Sequence, residues 1–581
     1  MLTFNPEPYE LGQAILLWLG VVAVGSIVAL AVAVLIGLIV GGTAGVRSVF
    51  RGVLDAIRDL MSLSPGRVVA ISQLTFREAL RRKALLVFVI FAVLFMFAGW
   101  FLTSGDQRPV EQVQVLVSFV FWTLSILILP VALLLACWGL PEDIRRRSLH
   151  TVVTKPVRRS EIMVGRIVGY VGINTLVLLV MGIVGYVWIL RQVPSDPENP
   201  DTAEAQAALV SRVPVFGDLH FLDKNGEPQE RGINVGDIWE HRSYIEGSTP
   251  ERAVYLFEGV TPDALSTAIV EGEDAADGPP RKVLRLESTF EAFRTHKGDM
   301  DHGLFVQYTY VNPDDPAKRY VDPNIFSIDE FQLNLQNIRP KLPVADPESI
   351  PAKFLEEGEN GGKVIDLFEY LAPEGKLRVE VAALAPGQYL GMAPADLFLR
   401  LPDRRFASGY FKAVFAIWLM TVLVVVLGVT ASTFLKGPVA TLLTFVLFII
   451  GSPFREFMDE LAFKYQNSIL QEGQNLAGGG PLESIVRILQ HKNPTTELPD
   501  TIATNVIQSL DHVFLSAVWL VRFLVPDFSV YNLTEYVANG FDIGWTTNPG
   551  LLQAIFVTLA FLIPCIFIGY FSLRFRELES K

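Results

Sequence analysis

Seven stretches of this chain run for eighteen residues or more without an Asp, Glu, Lys or Arg: Leu11 to Val46, Ala84 to Gly105, Val113 to Leu140, Ile167 to Leu190, Ala413 to Leu435, Gly437 to Phe454 and Ile543 to Leu573. About 20 consecutive apolar residues are needed to carry a helix across the roughly 30 Å hydrocarbon layer of a bilayer. A soluble core of this size does not need so many uncharged runs, so the pattern predicts a polytopic membrane protein. The mean hydropathy of +0.38 agrees, given that a large polar insert pulls it down.

Charge sets a predicted orientation. Lys and Arg are retained in cytoplasmic loops. Residues 47–83 carry eight basic side chains against three acidic ones, and residues 141–166 carry seven against three. Both are read as cytoplasmic. The net charge of −13 is concentrated in residues 191–409, which alone sum to −16 and are read as extracytoplasmic. Lys436 marks a tight cytoplasmic turn. The tail with Arg574, Arg576 and Lys581 returns inside, and the N-terminus comes out outside. Glu7 and Glu10 precede the first run with no basic residue, which is unlike a signal peptide, so that run reads as a retained helix. The stretch 511–526 (DHVFLSAVWLVRFLVP) is apolar but short and contains Arg522. A run of that length is re-entrant, interfacial or packed on protein more often than it spans.

Residues 191–409 differ in character. Acidic, proline-rich stretches (VPSDPENPD, VEGEDAADGPP) read as loops. Between them, KLRVEVAAL places Leu377, Val379 and Val381 on one face, LFVQYTYV is rich in β-branched and aromatic residues, and Asn225-Gly226 is a tight hairpin turn. The expectation is an antiparallel, sandwich-like β domain. No catalytic, cofactor or metal site is predicted: His220, His241, His296 and His302 lack ligand spacing, GDMDHG at 298–303 reads as an acidic loop, and Cys137 and Cys565 lie within apolar runs.

The predicted cytoplasmic loops are more informative. SVFRGVLDAIRDLMSL at 48–63 is amphipathic. After Pro65-Gly66, RVVAISQLTFREALRRKALLVFVIF reads as an interfacial helix turning into the bilayer. The second loop, LPEDIRRRSLHTVVTKPVRRSEIMVGRIVGY, is broken at Pro141 and Pro156, with Ser160 as a candidate N-cap. It predicts a charged hairpin joining two long membrane helices.

These segments, together with the C-terminal FSLRFRELESK, resemble permease subunits of type-2 ABC exporters, closest to the multi-copper-enzyme-maturation group. The resemblance covers about 84–190 and 410–581. It implies that the hairpin sits against a separate ABC ATPase subunit, with Glu142, Asp143, Arg145, Lys155, Pro156, Arg158 and Glu161 as coupling residues. It also implies a second permease copy or paralogue, and ATP and Mg on the ATPase. The extra N-terminal span and the β insert depart from the family pattern and leave the cargo open. No GxxxxGK[ST] loop is present, so the chain itself is expected to be non-enzymatic, with no cofactor of its own and no nucleic-acid partner. The external domain has no Met- or His-rich tract of the kind copper delivery uses.

The predicted organisation is a membrane helix at 1–46, interfacial helices at 47–83, membrane helices at 84–190 around the hairpin 141–166, a β-rich domain at 191–409, two membrane helices at 410–454, an extracytoplasmic segment at 455–542 and a last helix with its tail at 543–581. The predicted location is the plasma (inner) membrane. The function expected from the resemblance is that of an exporter permease, and the alternative is a non-transporting scaffold displaying the β domain.

Overall fold

A computed structural model describes residues 8–81, a few positions from 87 to 95, 109–145, 158–193, 205–206, 208–229, 231–233, 242–268, 281–294, 304–328, 333–344, 346–347, 350–358, 361–470, 480–492 and 501–579. The chain divides into two compact units. One comprises Met1–Pro8, Ser195–Tyr410 and Glu535–Pro549; the other comprises Tyr9–Pro194, Phe411–Thr534 and Gly550–Lys581.

The second unit is helical. Helix α1 (Leu11–Met61) is interrupted at Gly42, whose φ of 54° and ψ of −140° suit only a residue without a Cβ. Helix α2 (Pro65–Arg81) opens on a proline, whose missing N–H costs nothing at a first helical position. Then follow α3 (Pro109–Arg145), α4 (Arg159–Gln192), α5 (Phe406–Phe434), α6 (Gly437–Gly451), α7 (Arg455–Leu470), α8 (Pro481–Leu489), α9 (Ile502–Leu524) and α10 (Leu551–Glu579). Six of these, α1, α3, α4, α5, α9 and α10, are long and apolar enough to cross a membrane. Helices α6 and α7 meet at a 59° bend and would make a seventh span if taken together. The chain is therefore a membrane protein carrying a β-rich unit.

Helix α5 is the most enclosed of these helices. Trp418 Nε1 donates to Thr175 Oγ1 of α4 at 2.7 Å, and Thr430 Oγ1 donates to Cys565 O of α10 at 3.4 Å. Gly428 lies against Ala136 and Cys137 of α3, where a side chain would collide.

The apolar runs from Leu11, Val113, Ile167 and Ala413 are all helical as expected. The run 84–105 falls almost wholly outside the described residues. Two expectations are corrected. The last helix starts at Leu551, not Ile543, because Ile543 and its neighbours up to Pro549 belong to the β unit. The apolar run 511–526 is the second half of a 23-residue helix whose first half is polar but helix-compatible.

In the β unit, one antiparallel sheet orders the strands Val210–Phe216, Leu397–Arg405, Arg281–Ser288 and Asn334–Ile338, with Ser266–Ala268 also on Arg281–Ser288. A six-stranded sheet orders Arg319–Ile328, Leu304–Val311, Lys376–Ala383, Arg252–Glu258, Asp218–Leu222 and Pro228–Gln229. Two three-stranded sheets accompany them. Leu377, Val379 and Val381 are buried on one face as their spacing predicts, and Asn225-Gly226 makes the turn before Pro228, with Gly226 at a φ of 82°. Tyr255, Phe257, Tyr308 and Tyr310 of the larger sheet share one core with Leu284, Leu286, Leu397 and Leu399 of the other.

Residues 535–549 join this unit through Arg212. Its N–H donates to Gly540 O and its carbonyl accepts from Asp542 N, both at 2.8 Å, in a parallel bridge to Phe541. The Arg212 guanidinium lies 4.2 Å from the Phe541 ring centroid and 2.8 Å from the fully buried Glu287 carboxylate. Arg404 pairs with Asp542 at 2.8 Å.

Candidate functional site

The sequence-predicted residues that the structure describes converge on a junction of helix ends in the helical unit. Its centre is Glu161, on the first turn of α4 and without solvent exposure. A carboxylate at the third helical position can accept the otherwise unpaired N–H groups of a helix start. Here Glu161 Oε2 accepts the N–H of Arg158, the N-cap residue, at 3.0 Å. Its other oxygen accepts the N–H of Ser64 at 3.0 Å and pairs with Arg67 Nη2 at 2.9 Å. One side chain thus caps α4 and fixes the turn that begins α2.

Arg158 completes the link. Its Nη1 donates to Ser62 O at 2.9 Å, and its Nε stands 4.0 Å from Asp59 Oδ1. Asp59 also accepts from Tyr570 OH of α10 at 3.2 Å, and Arg574 Nη1 donates to Gly52 O at 3.2 Å. One turn further along α4, Arg166 pairs with Glu78 of α2 at 2.9 Å.

Between these ion pairs the backbones of α2 and α4 touch. A Cβ at Gly165 would lie 2.7 Å from Ile71 Cβ, and one at Gly169 would lie 2.5 Å from Thr75 Cβ and 2.8 Å from Ser72 O. This is the small-xxx-small pattern that brings helices into contact where lipid gives no hydrophobic drive. On the opposite side of α4, the Tyr170 hydroxyl fills the space left by Gly139 of α3.

Of the predicted coupling residues, Arg158 and Glu161 are therefore brought together. Glu142 is half-buried in the last turn of α3. The side chains of Asp143 and Arg145 lie outside the described residues, as do residues 146–157, Lys155 and Pro156 among them. So does GDMDHG at 298–303. With no exposed surface and three donors of its own unit around it, Glu161 is held against the start of α2. Sequence reasoning missed Asp59, Ser64, Arg67, Glu78 and Arg166 as members of the junction. The spacing Gly165-x-x-x-Gly169 was a visible signal for α2 packing; the partners of Glu161 had none, because Ser64, for example, stands 97 positions away.

Among the described residues, no group of three or more His, Cys, Asp or Glu side chains could hold a metal ion. The junction can hold α2 and the start of α4 together. Compared with protein-family models, with curated proteins and with solved structures, the chain matches none.

Proposed function

We infer that the chain is the permease subunit of an ATP-driven exporter in the plasma (inner) membrane, worked by a separate ATPase. Residues 47–83 and 141–166 would lie in the cytoplasm and the β unit outside, as the positive-inside bias requires. The observation that carries this reading is the junction itself. A partner that changes shape can act on the membrane only through contacts that differ between its states. A charged hairpin between α3 and α4, clamped through Arg158 and Glu161 to an amphipathic helix, would move as a lever rather than flex. Glu142, Asp143 and Arg145 at its α3 end would supply the partner contacts, with Lys155, Pro156 and the hairpin's basic residues beside them. A second permease copy would complete the assembly, and the cargo is left open.

The test is Glu142→Ala with Asp143→Ala. Truncating one side of a buried interfacial charge pair typically costs about 2–5 kcal/mol. Insertion and β-unit folding should be unchanged, whereas ATPase co-purification from native membranes and transport-linked hydrolysis should fall. A wild-type chain that brings down no ATPase, or a double mutant with unchanged hydrolysis, would favour a non-transporting scaffold for the β unit.

A further inference from the structure

We propose that α8 and α9 do not cross the bilayer but lie in its interface, on the membrane face where the β unit stands, with lipid as their partner. Three observations carry this.

The first is connectivity. The chain leaves the β unit after Tyr410 and is back in it at Glu535. A folded polar unit occupies one side of a membrane, so an even number of crossings separates these residues. Helix α5 supplies one. Helix α6, long enough to cross only together with the first turns of α7 beyond their 59° bend, supplies the second. It begins against the end of α3 near the junction, where Trp138 Nε1 donates to Thr441 Oγ1 at 3.1 Å and Gly437 lies against the same indole. It ends at Gly451, whose carbonyl accepts from Phe528 N at 2.6 Å. Phe528 packs on Tyr531 with tilted rings, 6.2 Å between centroids, and the Tyr531 hydroxyl is 2.7 Å from Thr558 Oγ1, near the start of α10 and remote from its Tyr570 end at the junction. A third, single crossing by α9 would break the parity.

The second observation is that α7 and α9 both reach this level. Arg455 Nη1 donates to Arg522 O at 3.1 Å, and Arg522 pairs with Asp459 at 2.7 Å. The excursion from α7 through α8 to α9 therefore returns to where it began.

The third is polarity. In α8 the charged residues are inside and the aliphatic ones outside. Glu483 and Arg487 are buried and paired at 2.6 Å, while Ile485 is 52%, Ile488 73% and Leu489 73% exposed. Asp511 of α9 is buried too, and its carboxylate accepts the N–H groups of Leu482 and Glu483 at the start of α8. Water would reverse this arrangement. Helix α9 exposes Ile502, Val506, Leu510 and Val513 along one stripe and Thr501, Asn505, Gln508 and His512 along another. A spanning helix would set that polar stripe in hydrocarbon, whereas an interfacial helix divides such stripes between headgroups and acyl chains.

The test is impermeant maleimide labelling in sealed vesicles with the β unit outward. Wild type is the blank, because Cys137 and Cys565 are buried. Gln490→Cys should label as fully as Lys341→Cys in the β unit, and Met61→Cys at the end of α1 only after permeabilisation. Spin labels then read the medium: oxygen collisions should exceed those of a nickel chelate at Val513→Cys and Ile485→Cys, with the order reversed at His512→Cys. Labelling of Gln490→Cys only after permeabilisation would show that α9 spans and overturn the proposal. Nickel-dominated collisions at all three spin-label positions would overturn it as well, by placing the hairpin in water. Neither outcome depends on an ATPase partner.

Discussion

Glu161 shows what one side chain does when it is the acceptor for two chain segments at once. An ionised carboxylate accepts and never donates, so it suits a place where two backbone N–H groups and a guanidinium converge. The sequence offered Ser160 as the N-cap, but α4 starts two residues earlier with Arg158 as its N-cap, and only that shift puts Glu161 at the third helical position where it can cap the helix. Its partners were not legible, because Ser64 and Arg67 lie on another helix and neither has a local signature. Glu161→Gln keeps the shape and one acceptor oxygen but points an amide NH2 at a donor. A buried donor left unsatisfied costs about 1–3 kcal/mol. Both Glu161→Gln and Glu161→Ala should therefore lower the melting temperature in detergent, read as loss of monodisperse protein on heating. A Gln variant that melts with wild type would show that the charge is unnecessary and that the junction is held by packing alone.

Among elements, the α2–α4 contact depends on absent side chains. At Gly165 and Gly169 a methyl group would enter space already taken by Ile71 and Thr75, whereas a Cβ at Gly172 would sit 3.6 Å from Phe76, an ordinary contact. Overpacking of this kind costs about 1–3 kcal/mol. Gly169→Ala and Gly165→Ala should weaken disulfide crosslinking between cysteines placed on α2 and α4 and lower the melting temperature, and Gly172→Ala should do neither. Equal effects at all three positions would remove close backbone approach as the cause. Hydropathy located α1, α3, α4 and α5 because lipid and a long apolar run select each other. It mislocated the start of α10 because IGWTTNP is uncharged without facing lipid, and hydropathy cannot distinguish cover by protein from cover by acyl chains. It shortened α9 for the converse reason: TIATNVIQS is polar yet compatible with helix.

For the whole molecule, the unexpected feature is that the β unit takes in residues 535–549, far along the chain from the strands of 195–410. Alternation along strands such as Lys376–Ala383 revealed its core, but nothing local marks 535–549 as part of it. That segment adds two backbone hydrogen bonds at Arg212, an arginine over the Phe541 ring, and the Phe398–Phe541 ring contact at 5.7 Å. Arg212 is also the partner of buried Glu287, so the segment covers one end of an ion pair that would otherwise meet water. Residues 205–410 carry the shared core and should fold alone, with a β-rich circular dichroism spectrum and a cooperative melt. Joined to 535–549 by a flexible Gly/Ser linker, the same unit should melt higher. Phe541→Ala in the linked form should return the melting temperature towards that of 205–410 alone, since burial of an aromatic side chain contributes roughly 1.5–3 kcal/mol. Identical melting of the linked and unlinked forms would mean that 535–549 merely rests on the unit, and Arg212 would then be held by Glu287 without help from Phe541.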